Sequence, residues 1–246
     1  MELYILLISF FFIALIYSSV GFGGGSSYLA LMAQPFFGLL PETIRPAALM
    51  CNIVVVTGGV IIFYRDGKLS FKDIWPFLVA SVPMAVVGGF WKLNDNTFFI
   101  LLGFTLLLAS IFLWIKPREG KGKSLNVSGQ VALGGGIGLL SGLVSIGGGI
   151  FLSPVLHLMN WSEAKKISAL ASAFILVNSV GGLIGQFASG SHTVKWTFIF
   201  PLLLAVLVGG QIGSRLGSKT FNSVYIRRIT AILIFVAALN ILKDHL

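Results

Sequence analysis

Long apolar segments dominate this chain, and two glycine triplets interrupt them at matching places. Eight segments, 3–20, 44–64, 74–91, 97–115, 127–145, 164–188, 196–214 and 229–242, each approach the roughly 20 apolar residues that a bilayer-crossing helix needs. Only 10% of the 246 residues are charged, whereas soluble domains carry about 25%. The chain therefore reads as an all-α, polytopic membrane protein, because only structures that satisfy their own backbone hydrogen bonds span lipid. The first segment follows Glu2 rather than a basic residue, and no A-x-A site comes after it. It is expected to be a retained span, not a cleaved signal.

The breaks constrain the fold further. Gly23-Gly24-Gly25 precedes a short apolar piece, 26–40, and Gly147-Gly148-Gly149 precedes another, 150–160. At about 1.5 Å per residue, such pieces barely reach across a core of about 30 Å. The triplets match at an offset of 124. An offset of 121 then aligns Arg45 with Lys166, Leu49 with Leu170, Thr57 with Asn178, Trp75 with Trp196 and Gly88-Gly89 with Gly209-Gly210. The expected organisation is two membrane repeats, 1–115 and 127–246, joined by a basic linker at 116–126.

The 17 Lys and Arg residues give the topology. If the short pieces are loops between eight simple spans, the bases divide nine to eight, against the positive-inside rule. If each short piece turns back, the division becomes thirteen to four. Arg65, Lys68, Lys72, Lys116, Arg118, Lys121, Lys123, Lys165, Lys166, Arg215, Lys219, Arg227 and Arg228 then share one side, and Arg45, Lys92, Lys195 and Lys243 the other. This second arrangement has inverted repeats, each with a glycine-broken re-entrant or short helix, and places both termini outside the cytoplasm. The net charge of +9 is thereby explained by loops at the membrane surface, with no nucleic-acid partner.

Inverted repeats with interrupted segments at corresponding positions are a transporter signature. Irregular backbone at membrane depth has to line a cavity or lie buried in protein. A helix N-terminus offers free N–H groups and about half a positive charge, which suits an anion. Two such ends meeting at a pseudo-twofold axis are expected to hold a small anion without a buried cation.

The candidate site is therefore Gly23, Gly24, Gly25, Ser26 and Ser27 in the first half, with Asn52 and Thr57 on the following segment. Its second half is Ser145, Gly147, Gly148, Gly149 and Ser153, with Ser172 and Asn178 following. Hydroxyls and amides inside spans are costly and mark function, although small polar residues also let helices pack closely. Arg45 and Lys166 are expected to act as entrance charges that gather anions, or else to snorkel to the interface. Gln186 reads as an interhelical hydrogen bond, and Cys51 as a small packing residue.

The segments Gly21-Phe22-Gly23-Gly24-Gly25 and Gly142-Leu143-Val144-Ser145-Ile146-Gly147-Gly148-Gly149, with Pro154, resemble those of the TauE/SafE family of sulfite and organosulfonate exporters. The resemblance extends to size, duplication and hydropathy over most of the chain. It implies export of a small sulfur-containing anion, such as sulfite or sulfoacetate, across the bacterial cytoplasmic membrane. No cofactor or metal is expected.

No confident span holds an Asp or Glu that would couple transport to protons or sodium. An outward-moving anion gains about 2.3 kcal/mol per charge per 100 mV, so electrogenic alternating access is the expected mechanism. An anion channel or an importer of other small organic acids is the alternative. An enzyme is disfavoured: the chain has no H-E-x-x-H, no G-x-S-x-G and no Cys/His cluster. A homodimer is compatible with the glycine-rich helices.

Overall fold

A computed structural model describes residues 2–19, 23–114, 125–190, 194–216 and 223–246. Most of the linker, 115–124, lies outside the described residues, as do Gly21 and Phe22.

The described residues form ten α-helices: α1 (Glu2–Ser19), α2 (Gly25–Met32), α3 (Pro41–Arg65), α4 (Phe71–Phe90), α5 (Asp95–Trp114), α6 (Val127–Val144), α7 (Gly149–Leu158), α8 (Ala164–Ala188), α9 (Trp196–Leu216) and α10 (Ser223–His245). Helices α3, α4, α5, α6, α8 and α9 are long and apolar enough to cross a bilayer, and α1 carries a further apolar stretch, Leu3–Ser19. Each expected span falls in one of the eight longer helices. Their outer faces are apolar, with Ile8, Phe12, Phe104, Ile184, Phe200 and Leu233 all exposed, as lipid contact demands.

The short pieces are shorter than their hydropathy suggested. Helix α2 ends at Met32, and a 3-10 turn at Pro35–Phe37 carries the chain to α3. With eight and ten residues, α2 and α7 extend only about 12 and 15 Å. Neither is long enough to cross a core of about 30 Å by itself.

Contacts between helix ends decide between the two topologies. Lys68, between α3 and α4, lies 3.9 Å from Glu163, just before α8. Asn240, near the end of α10, donates to Gln34, just after α2. His245 packs on Phe99 at the start of α5, with ring centroids 4.4 Å apart. All three pairs fall on opposite sides if the short pieces are simple loops, and on one side if they turn back. Among the described residues, the contacts fit the arrangement in which the short pieces turn back.

The halves run in opposite senses. Helices α3 and α8 are counterparts, yet Leu49 meets Gly182 and Gly59 meets Ser172, an antiparallel register. The halves also exchange partners: α4 packs on α6, α1 on α9, and α5 on α10.

Glycine sets these distances. A methyl group added at Gly134, Gly138 or Gly142 of α6 would lie 2.2, 2.4 and 2.3 Å from the carbonyl oxygens of Phe77, Ser81 and Ala85 on α4. At Gly209 and Gly213 of α9 it would lie 2.3 and 2.1 Å from those of Phe11 and Leu15 on α1. In lipid, where burial drives little helix association, such close backbone approach replaces it.

Candidate functional site

Two glycines start the short helices. Gly24 and Gly148, equivalent at the offset of 124, are the N-cap residues of α2 and α7, with φ of 85° and 81°. Left-handed backbone costs an L-residue about 1–2 kcal/mol, so glycine fits both places. Neither end is capped by a side chain, which leaves first-turn N–H groups for another partner.

The triplets meet as expected, and Asn52 of α3 joins them. Its side chain is fully buried, and Nδ2 donates to the Ile146 carbonyl at 3.0 Å. A methyl at Gly23 would lie 2.6 Å from Asn52 Oδ1, and one at Gly25 would lie 2.2 Å from Nδ2. One at Gly147, in the other triplet, would lie 2.9 Å from the same Nδ2. Ile175 of α8 completes the junction, touching the Cβ positions of Gly23, Gly147 and Gly149. Both triplets thus converge on one residue from each long re-entry helix.

A buried cation stands beside this junction. Arg45, near the start of α3, is 3% exposed. Its Nε donates to Ser145 Oγ at 3.2 Å and its Nη2 to the Gly142 carbonyl at 3.4 Å. Its guanidinium lies 5.6 Å from the Phe98 ring centroid, a cation–π distance. Ser145, at φ 61°, also accepts from Gln186 Nε2 at 2.8 Å. Among the described residues the only ion pair is Lys68–Glu163, so Arg45 has no carboxylate there. A buried, unpaired charge is costly, and an anion offsets it.

Arg45 is therefore not at a surface entrance, and its sequence counterpart Lys166 is exposed on α8. The two are matched in sequence and in charge but not in burial. A buried cation next to Ser145 was not expected from the sequence.

The other candidates divide. Ser26 is buried in the first turn of α2, and Ser153 is buried one turn along α7. Ser27 turns away from the triplets to hydrogen-bond Tyr17 of α1. Thr57 bonds back to the Ile53 carbonyl at 2.6 Å and Ser172 to that of Ser168 at 2.9 Å. Asn178 points at α4: its Nδ2 donates to Ser81 Oγ at 3.2 Å and the Phe174 carbonyl at 2.8 Å. Its neighbour Ser179 faces the triplet instead, 3.0 Å from the Cβ position of Gly147. Helical phase explains the difference, since adjacent residues point about 100° apart.

Several buried polar atoms have no partner: Asn52 Oδ1, Ser141 Oγ, Asn178 Oδ1, Ser179 Oγ, Gln186 Oε1 and the Tyr28 hydroxyl. Native structures hold few such atoms, and each needs a reason.

Sequence reasoning missed one cavity. A space of about 960 Å³ lies between α1, α2 and α10, walled by residues such as Phe12, Ile13, Leu233 and Ala237, with Tyr17 and Ser27 at its polar margin. The pairing of α1 with α9, which leaves α10 apart from α1, is a tertiary feature without a local signal.

Two uncapped helix N-termini brought together in an inverted-repeat membrane protein invite comparison with known carriers. Residues 6–241 match the sulfite exporter TauE/SafE family. The chain belongs to that family. It is also 33% identical to a probable membrane transporter protein, y4hK, of Sinorhizobium fredii, over 96% of this chain and 97% of that one. No solved structure matches it. As a TauE/SafE protein, the chain is a multi-pass membrane transporter.

Proposed function

We propose that this transporter exports a small sulfur-containing anion, sulfite or an organosulfonate such as sulfoacetate, from the cytoplasm by electrogenic alternating access. The observation that carries the reading is Arg45, a buried guanidinium that no carboxylate pairs with among the described residues, bonded to Ser145 just before the second triplet, together with two uncapped helix N-termini. Together they supply a full positive charge and two partial ones. Hydroxyl and amide groups around them suit an oxyanion's several oxygens.

The thirteen-base side faces the cytoplasm in this reading, and both termini lie on the far side of the bacterial cytoplasmic membrane. Residues 1–115 and 127–246 act as the two moving repeats around the central site. Their unequal packing supports a two-state cycle. Helix α5 lies against α6, whereas the equivalent pair, α10 and α1, is separated by the cavity. One half is then open where the other is closed, as exchange between two states requires.

Proteoliposomes test this. With the potential clamped by potassium and valinomycin, efflux of labelled sulfite should saturate, show counterflow and rise with a negative interior. Non-saturable flux without counterflow means a channel. Flux indifferent to potential, or requiring a pH gradient, contradicts the electrogenic mechanism.

A further inference from the structure

The acceptor Asn52 Oδ1 stands out among the unpartnered atoms because its orientation is fixed. Asn52 Nδ2 donates to the Ile146 carbonyl at 3.0 Å. Turning the amide over would set two acceptor oxygens against each other, so Oδ1 is held over Gly23, 2.6 Å from that residue's Cβ position. It is fully buried and accepts nothing. A bare oxyanion brought to the triplets would place negative oxygens against this carbonyl. A ligand that brings its own hydrogen would satisfy it.

Resting on the anion-carrier reading above, we propose that Asn52 Oδ1 makes the site selective for an oxyanion that itself carries an O–H or N–H donor. Hydrogensulfite and amino- or hydroxy-sulfonates are of this class, whereas ionised sulfoacetate, which has no such donor, is not, so the proposal narrows the substrates named above. The two helix ends bind the oxygens, Asn52 Oδ1 accepts the ligand's hydrogen, and Asn52 Nδ2 stays on Ile146. Leaving a buried acceptor unpaired costs about 1–3 kcal/mol, and a site built around a ligand's donor discriminates against the analogue without it. In this structure Oδ1 is shut off from water, so ligand entry parts the tips of α2 and α7 from Asn52.

Methanesulfonate and sulfamate test the idea directly. They are similar in shape and equal in charge, and differ in a CH3 against an NH2 group. Each is used to inhibit labelled sulfite counterflow in proteoliposomes of the full chain. Sulfamate should inhibit at a concentration about tenfold lower, or less still. In Asn52→Ala the two should inhibit alike. Equal inhibition of the wild-type protein overturns the proposal, and needs no variant to fold. A sulfamate preference that survives Asn52→Ala also overturns it, because the selecting acceptor lies elsewhere. A wild-type protein that carries no sulfite and responds to neither anion fails the carrier reading itself, a result separable from equal inhibition of a working carrier.

Discussion

At the scale of single residues, Arg45 separates function from packing. A structural arginine stabilises the fold, while one kept for an anion leaves a stability cost behind. Replacing a buried charge by a neutral group is often neutral or stabilising. Arg45→Gln is therefore expected to melt in detergent at the same temperature as the wild type or higher, and to lose at least tenfold in sulfite flux. Arg45→Lys keeps charge without the planar fork and should fall between. A destabilised Arg45→Gln with normal flux would make Arg45 a structural residue. The residue scale is also where sequence reading fell short. Arg45 sits at the edge of an apolar run, which gave no sign that α6 would close over it. The contacts to Ser145 and Gly142 span 100 and 97 residues. Asn178 and Ser179 were both visible as polar positions, but which one faces the triplet depends on how α8 is rotated against α4.

At the scale of elements, much was legible. Apolar length located all eight long helices, and the triplets located the starts of both short ones, because glycine takes those left-handed dihedrals without the cost an L-residue carries. Glycines in the spans were visible, but their partners were not readable: α6 meets α4 of the other half, and α9 meets α1. Two glycines of one helix test that account. A methyl at Gly138 would lie 2.4 Å from the Ser81 carbonyl, whereas one at Gly136 meets nothing within 4 Å. Gly138→Ala should lower the melting temperature and the flux, because two backbones have to separate. Gly136→Ala should be neutral or stabilising, by up to about 1 kcal/mol from reduced chain entropy. Thermal unfolding of the two purified variants checks this, and equal effects would contradict the close-packing account.

At the scale of the whole molecule, the account rests on inverted halves crossing at a central anion site. The charge count alone pointed to the inversion, and the pairing of Lys68 with Glu163 gives it a geometric basis. The chain has one cysteine, the buried Cys51, so a Lys68→Cys, Glu163→Cys pair has little background. A short bifunctional maleimide should link that pair within one chain, and should not link Lys92→Cys with Glu163→Cys. The site itself is tested by the current that a sulfite jump evokes in proteoliposomes on a supported membrane, comparing wild type with Gly25→Ala. The added methyl would meet Asn52 Nδ2 at 2.2 Å and the Ile146 carbonyl at 2.7 Å, at the junction of both triplets. A saturable, charge-moving current in the wild type that is lost in folded Gly25→Ala is the predicted result. An undiminished current in Gly25→Ala would contradict the claim that the anion binds where the triplets meet.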